Sequence, residues 1–242
     1  MSSDDTWPPH LRYGALVNLS RLGYVALAAV DSVLAGSTRP AAHRTRFVTK
    51  PLLMPMLARS LASSISASPP STGRLRTPVL AAQAAGWVGD VALLSERRMP
   101  FLVGSGAFGV GHFAYTSGFV PMRARSSLVV DETPARLLAL LWLASGPVLA
   151  RAASHREGAG LPVAAYSLSL TAMAICATRL SPAVPPPARR LAAAGALLFL
   201  ASDSTLGLRK FVLADPPPAT ESVVMATYTA AQLLLSEAAA RA

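Results

Sequence analysis

The chain has 242 residues, of which 52% are hydrophobic and only 14% are charged. Soluble globular domains usually carry about 25% charged residues, so this composition excludes an ordinary soluble domain. The formal net charge of +10 at pH 7 would indicate a nucleic-acid partner if the protein were soluble. In so apolar a chain it indicates basic loops that face lipid headgroups, and we expect no nucleic acid as a partner.

Eight apolar segments follow one another along the chain, separated by clusters of Arg, Pro, Gly or Ser. We predict spans at roughly 14–36, 47–66, 78–95, 99–120, 134–152, 160–180, 190–212 and 220–240. A helix that crosses a bilayer needs about 20 residues, so the loops are short and any activity lies within the bundle. The predicted fold class is all-α, a polytopic transmembrane bundle of about eight helices. Residues 1–242 form a single integral membrane domain with a short polar N-terminal tail at 1–12.

The ends and loops of the predicted spans add three expectations. The segment MSSDDTWPPH lacks the basic region and short apolar core of a secretory signal, so we expect no cleavage. Loop Arg and Lys residues divide equally between the two sides of the bundle, so the positive-inside rule gives no orientation. Arg21 and Arg59 fall inside predicted spans, which indicates displaced span ends, snorkelling, or side chains that face the bundle interior.

Ionisable groups inside a membrane are costly unless they face water or a partner, which makes them the first candidates for function. The predicted spans contain five such residues: Asp31, Lys50, Asp90, His112 and Asp203. Hydrogen-bonding residues accompany them in the same spans: Gln83, Tyr115, Tyr166, Ser202, Tyr228 and Gln232. The position of Asp31 near a span end favours a structural role, and Lys50 is equally compatible with a snorkelling anchor at the membrane boundary.

Helical spacing groups several of these residues. Gln83, Gly86 and Asp90 share one face of span three. The pairs His112/Tyr115 and Tyr228/Gln232 likewise share faces of spans four and eight. Structural interpretations remain open, since an intramembrane Asp can be an interhelical hydrogen-bond donor and a lone His is more often structural than a metal ligand.

Metal and cofactor chemistry have little support in the sequence. A catalytic zinc normally has three protein ligands, and the spans offer one His and one Cys, Cys176. A site made of His112, Asp90 and Asp203 stays an open alternative, but we predict no metal and no cofactor. The chain contains no GxSxG, P-loop or HExxH motif, so a serine lipase mechanism has no visible nucleophile.

Five segments together resemble one family, the YhhN-type integral membrane proteins, which are lysoplasmalogenases. They are TKPLLMP at 49–55, GWVGDVALL at 86–94, FLVGSGAFGVGHFAY at 101–115, GALLFLASDSTLGLRKF at 195–211 and MATYTAAQLLL at 225–235. The resemblance implies an eight-helix fold that hydrolyses the 1-alkenyl ether of a lysoplasmalogen. The products are a fatty aldehyde and glycerophosphoethanolamine or glycerophosphocholine.

The resemblance also implies a set of site residues: Lys50, Asp90, His112, Tyr115, Asp203, Tyr228 and Gln232. A vinyl ether is cleaved by protonating its β-carbon, which needs a proton donor and an anion beside the developing cation. We therefore expect Asp90 and Asp203 to face one cavity as donor and stabiliser or base, in an order that the sequence leaves open. His112 is expected to relay protons or orient water.

The remaining site residues are expected to bind the substrate. Tyr115, Tyr228 and Gln232 hold water or the glycerol hydroxyl, and Lys50 contacts the phosphate. The expected partners are a lysophospholipid and membrane lipids. Three alternatives stay open: a transporter or channel with a path lined by Asp and His, a hydrolase of another lysolipid or ether lipid, and a membrane scaffold without catalysis.

Overall fold

The computed structural model describes residues 9–65, 74–95, 97–125 and 131–242. These residues form eight α-helices and no strand beyond an isolated bridge between Arg123 and Leu180, which confirms the predicted all-α fold. The helices are α1 (Pro9–Ala35), α2 (Pro40–Ile65), α3 (Arg76–Ala92), α4 (Arg98–Phe119), α5 (Thr133–Glu157), α6 (Gly160–Thr178), α7 (Pro186–Gly207) and α8 (Ala219–Arg241). A 3-10 turn, Val120–Met122, follows α4, and a π-helical turn, Leu208–Val212, follows α7.

Each predicted span corresponds to one helix, but α1, α2 and α7 begin four to seven residues earlier than expected, whereas the other helices begin within two residues of the predicted start. The first residues of α1, α2 and α7 are Pro9, Pro40 and Pro186. Proline is favourable in the first helical turn, where its missing N–H would have no intrahelical partner. The polar, proline-containing segments before these three spans are therefore typical of loops, although their backbone is already helical. Helix α1 begins inside the polar tail expected at 1–12, and residues 1–8 of that tail lie outside the described residues.

The bundle is built from four helical hairpins, since α1 packs on α2, α3 on α4, α5 on α6, and α7 on α8. Helix α8 also contacts α1, α2 and α3, while α6 joins α4 to α7. Helix α5 packs on α6 and on the π-helical turn. This arrangement places α8 between α3 and α7, the two helices that carry Asp90 and Asp203.

Small residues bring α7 and α8 close together. Ala192 and Ala196 are fully buried, and a Cβ atom on Gly195 would lie 3.0 Å from the carbonyl oxygen of Ala231. Such close backbone approach is typical of helix pairs in membranes, where packing replaces the hydrophobic effect. A hydrogen bond of 2.9 Å from the Ser202 hydroxyl to the Val224 carbonyl fixes the register of the two helices.

Two prolines inside α2, Pro51 and Pro55, remove hydrogen-bond donors next to the predicted site residue Lys50. The carbonyl of Pro51 would normally accept from residue 55, which is itself a proline and has no N–H. Trp87 of α3 fills this gap, because its Nε1–H donates to the Pro51 carbonyl at 2.9 Å. This bond ties α2 to α3 one turn from Asp90.

Among the described residues, four helices are long and apolar enough to cross a membrane: α5, α6, α7 with its π-helical turn, and α8. Helices α1 to α4 are shorter or less apolar, since α3 has 17 residues and the others include polar site residues or arginines. Large apolar side chains of α5, such as Leu137, Leu140 and Leu143, are exposed on the outside of the bundle. This pattern is that of an integral multi-pass membrane protein.

The two arginines within predicted spans avoid the apolar interior in different ways. Arg21 is partly exposed, and its Nε lies 3.2 Å from the Glu237 Oε1 atom near the end of α8. Arg59 is exposed on the outside of α2. The ion pair of Arg21 and the exposed position of Arg59 fit snorkelling or displaced span ends better than side chains that face the bundle interior.

Candidate active site

Asp90 lies near the end of α3 in a closed, polar cluster. It is 1% exposed, and its Oδ1 atom lies 3.7 Å from the Nζ of Lys50, which is 5% exposed. The hydroxyl of Tyr228 on α8 donates to the Asp90 Oδ2 atom at 2.8 Å. A buried carboxylate needs both a counter-charge and hydrogen bonds, and Asp90 has one of each.

The face of α3 that the spacing predicted is buried in the structure and meets α4 and α8. A Cβ atom on Gly86 would lie 3.4 Å from Gln232 Nε2 and 3.5 Å from the Tyr228 hydroxyl. The Tyr115 hydroxyl of α4 donates to Gln232 Oε1 at 2.5 Å. Gln83 is 1% exposed, and neither of its amide atoms has a hydrogen-bond partner among the described residues. The polar cluster thus retains free donor and acceptor capacity beside Gly86.

Asp203 occupies a different setting, in the wall of an apolar cavity of about 90 Å³. The hydroxyl of Tyr166 on α6 donates to its Oδ2 atom. Most of the surrounding wall is apolar and comes from α4, α6 and α7, including Phe101, Phe108 and Val163. Such a wall suits an apolar ligand, while a carboxyl group in it has few competing partners.

His112 connects the two settings through aromatic contacts. Its ring centroid lies 4.9 Å from that of Tyr166 and 5.3 Å from that of Phe199. Its Nδ1 atom lies 3.1 Å from the Ser169 hydroxyl, whereas Nε2 is buried without a hydrogen-bond partner in the part of the chain that the structure describes. A buried imidazole with one free nitrogen is suited to hold a water molecule or pass on a proton.

Phe108 lies between the two carboxyl groups. It lines the Asp203 cavity and packs edge-on against Tyr228 with ring centroids 5.5 Å apart. The same ring covers Gly89, where a Cβ atom would meet it at 2.5 Å, so only glycine fits beside Asp90 at this position. Asp90 is not among the residues that line the Asp203 cavity, so the structure does not bring both carboxyl groups to the wall of this one cavity.

A second, polar cavity of about 520 Å³ adjoins the first. Lys50 lines it, and its wall shares Leu93, Phe101, Leu206 and Lys210 with the Asp203 cavity. Lys210 lies in the π-helical turn, and its Nζ is 4.4 Å from the centroid of the Phe101 ring. π-helical turns are frequent at functional sites because they turn side chains away from the regular helical positions.

The sequence-based prediction missed several charged residues of this polar cavity: Arg46, Arg209, Lys210 and Glu221. Arg209 and Lys210 lie within the family-like segment at 195–211, in which Asp203 was the predicted site residue. Two adjacent basic residues at the end of an apolar helix were the signal that could have found them. Asp31 has the structural role that its position favoured. It is fully buried, accepts a hydrogen bond of 2.6 Å from Thr49, and lies 3.5 Å from Arg46 Nε.

Metal ligands are not grouped in the described part of the chain, where no three His, Cys, Asp or Glu side chains come together in a way that could hold an ion. His112 contacts Ser169, Tyr166 and Phe199. Asp90 is engaged by Lys50 and Tyr228. The described residues therefore do not bring His112, Asp90 and Asp203 together as a ligand set.

A model of the YhhN family matches residues 45–239 of the chain. Human lysoplasmalogenase TMEM86B is 36% identical over 162 residues, which cover 64% of this chain and 59% of that protein. Human lysoplasmalogenase TMEM86A is 32% identical over 151 residues, and its bovine counterpart 30% over 151 residues. Both matches cover 62% of this chain and 59% of the relative.

The chain thus spans less than two thirds of the length of these curated relatives. No solved structure matches it significantly.

Proposed function

Because this chain belongs to the YhhN family, we propose that it is a lysoplasmalogenase, which hydrolyses the vinyl ether of a lysoplasmalogen inside the membrane. Relatives that carry this name are 30% to 36% identical to it. One observation supports the proposal most strongly: an apolar cavity with the carboxyl group of Asp203 in its wall adjoins a polar cavity lined by cations. The parts of a lysoplasmalogen follow the same order: an apolar chain, a reactive ether and a charged headgroup.

The proposed reaction adds one water molecule across the vinyl ether. A carboxylic acid gives its proton to the β-carbon of the double bond, and the electron pair of that bond forms the new C–H bond. The resulting oxocarbenium ion takes up water at the ether carbon, and a carboxylate accepts the proton that the water loses. The hemiacetal then collapses into a fatty aldehyde and an alcohol, the glycerophospho compound.

We assign the two carboxyl groups different roles from their surroundings. Asp203 lies in an apolar wall, where a neutral carboxylic acid costs less than a carboxylate, which suits the proton donor to an apolar double bond. The Tyr166 phenol that donates to it can stabilise the carboxylate that remains after the proton is given. Asp90 is paired with Lys50 and accepts from Tyr228, which suits a carboxylate that stabilises positive charge. Such a division between two carboxyl groups is common in glycosidases, which pass through a similar cation.

The other predicted site residues support these two. His112, with its free Nε2 atom, is proposed to orient the attacking water next to Tyr166. Tyr115, Tyr228 and Gln232 are proposed to hold the water or the glycerol hydroxyl on the Asp90 side, where Tyr115 already orients the Gln232 amide. Lys50 lines the polar cavity as well as pairing with Asp90, so it is proposed to contact the phosphate from the inner end of that cavity.

The direct test is aldehyde release by the purified full chain from 1-alkenyl lysophosphatidylethanolamine, beside its alkyl and acyl analogues. We expect aldehyde from the alkenyl lipid alone. In D2O that aldehyde should carry one deuterium on the carbon next to its carbonyl, beyond the amount that authentic aldehyde exchanges in the same time. No aldehyde from folded protein would overturn the proposal, and release of fatty acid from the acyl lipid would favour a different lipid hydrolase.

A further inference from the structure

The polar cavity of about 520 Å³ carries more charge than hydrolysis of the ether requires. Four basic side chains line it: Arg46, Lys50, Arg209 and Lys210. One carboxylate, that of Glu221 in the first turn of α8, lines it as well. The ends of α1, α3 and α7 and the beginnings of α2, α4 and α8 meet around this cavity.

The basic side chains are backed by carboxylates that do not line the cavity. Lys50 pairs with Asp90 at 3.7 Å, and Lys210 pairs with Glu157 at 2.9 Å. Arg46 lies 3.5 Å from the buried Asp31. Counting these partners and Glu221, four positive groups face four negative ones, so the site as a whole is neutral. The four cations nevertheless line the cavity, whereas the carboxylates of Asp31, Asp90 and Glu157 do not.

Glu221 is the exception, because it lies on the cavity side and bridges two arginines. Its Oε1 atom is 3.7 Å from Arg46 Nη1, and its Oε2 atom is 2.9 Å from Arg209 Nη1. The Nε atoms of both arginines are buried and make no hydrogen bond to the described residues. Arg46 is itself 9% exposed, and its Nε atom faces the buried Asp31 carboxylate, so the donors that it turns to the cavity side are in its terminal Nη groups.

We propose that this cavity is a subsite for a zwitterionic headgroup, a phosphodiester that carries an amine. The phosphate takes donors from Arg46, Arg209 and Lys210, with Lys50 at the inner end of the cavity. The amine takes the Glu221 carboxylate that the two arginines release. This exchange leaves every charge paired, which a purely anionic headgroup does not do, because it takes the arginines and leaves Glu221 without a cation. The inference rests on the proposed function and adds its headgroup specificity.

The position of the subsite fits the reaction. The cavity shares Leu93, Phe101, Leu206 and Lys210 with the Asp203 cavity. A headgroup bound in the polar cavity therefore leaves its glycerol and ether at this shared wall, with the chain directed into the apolar cavity. Lys210 belongs to both cavities, so it is positioned to hold the phosphate at the junction.

The experiment measures binding without hydrolysis. Alkyl lysophosphatidylethanolamine has no vinyl ether to cleave, and its binding to the full chain in neutral detergent can be followed by native mass spectrometry. The comparison lipid is alkyl lysophosphatidylglycerol, which has the same phosphodiester without an amine. We expect the wild-type chain to prefer the amine-bearing lipid about tenfold, the size of one charge-assisted hydrogen bond.

Two substitutions test the assignment. Glu221→Gln should reduce the preference to less than about threefold, and Arg209→Gln should weaken both lipids by about tenfold. Glu237→Gln is the matched control, because Glu237 pairs with Arg21 and Arg241 elsewhere on α8, and it should leave the preference unchanged. Glu221→Asp provides a folded alternative that keeps the charge and should keep the preference.

Equal binding of the two lipids by the wild-type chain would overturn the inference. An unchanged preference in folded Glu221→Gln would overturn it as well. The experiment distinguishes failure of the subsite from failure of the proposed hydrolysis. A headgroup preference without aldehyde release from the alkenyl lipid would contradict only the proposed hydrolysis. Aldehyde release without a headgroup preference would contradict only the proposed subsite.

Discussion

The two intramembrane carboxyl groups of this protein have opposite surroundings. Asp90 is closed into a polar cluster with Lys50 and Tyr228, whereas Asp203 lies in the wall of an apolar cavity and accepts a hydrogen bond from Tyr166. The difference shows that residue type alone does not determine the setting of a carboxyl group. The neighbouring side chains do, because a cation keeps one carboxylate paired while an apolar wall leaves the other open to an apolar ligand.

The largest effect that separates the two regions concerns stability. Asp90→Asn leaves Lys50 as a buried charge without its partner, and we expect it to lower the free energy of unfolding by about 3–5 kcal/mol. Asp203→Asn keeps an acceptor for Tyr166 and should change stability far less. Thermal unfolding in detergent measures both. The double variant Lys50→Met/Asp90→Asn should recover most of the loss, and its failure to do so would contradict the ion-pair explanation.

Packing between the two regions gives the next effect. A methyl group at Gly89 would lie 2.5 Å from the Phe108 ring, so Gly89→Ala should displace that ring and cost about 1–3 kcal/mol of stability. Gly106→Ala on the neighbouring helix is the matched control, because a Cβ atom there meets nothing within 4 Å. Equal melting temperatures of the two variants would show that Phe108 does not fill the space between the carboxyl groups.

The smallest effect comes from the phenol hydroxyls. Tyr166 is the side chain that hydrogen-bonds to Asp203 in the described part of the chain, whereas Asp90 keeps Lys50 when Tyr228 is changed. Tyr166→Phe should therefore lower the rate of aldehyde release about tenfold, and Tyr228→Phe only about threefold. The rates are compared at equal amounts of folded protein. The reverse order would mean that the hydroxyl on the Asp90 side matters more to the reaction.

The fold could be predicted largely from apolar runs, because a membrane requires long helices and each span gave one helix. The helix starts at Pro9, Pro40 and Pro186 were missed, since proline in a polar segment is common to loops and to first helical turns. The face of Gln83, Gly86 and Asp90 followed from helical spacing alone and is buried as expected.

The separate surroundings of Asp90 and Asp203 could not be predicted in the same way. Whether Asp90 and Asp203 share a cavity depends on the position of Phe108, which is set by packing between α3 and α4 and leaves no mark in the local sequence. The polar cavity was missed for a related reason. Arg46 and Glu221 are 175 positions apart and meet only because α8 packs against α2.

We propose that Asp203 supplies the proton that cleaves the vinyl ether. The most direct test is the single-turnover rate of aldehyde release by purified Asp203→Asn on the alkenyl lysolipid, with thermal unfolding measured on the same sample. We expect a rate at least about 100-fold below that of the wild-type chain, with an unchanged melting temperature. A folded Asp203→Asn variant that releases aldehyde within twofold of the wild-type rate would contradict it.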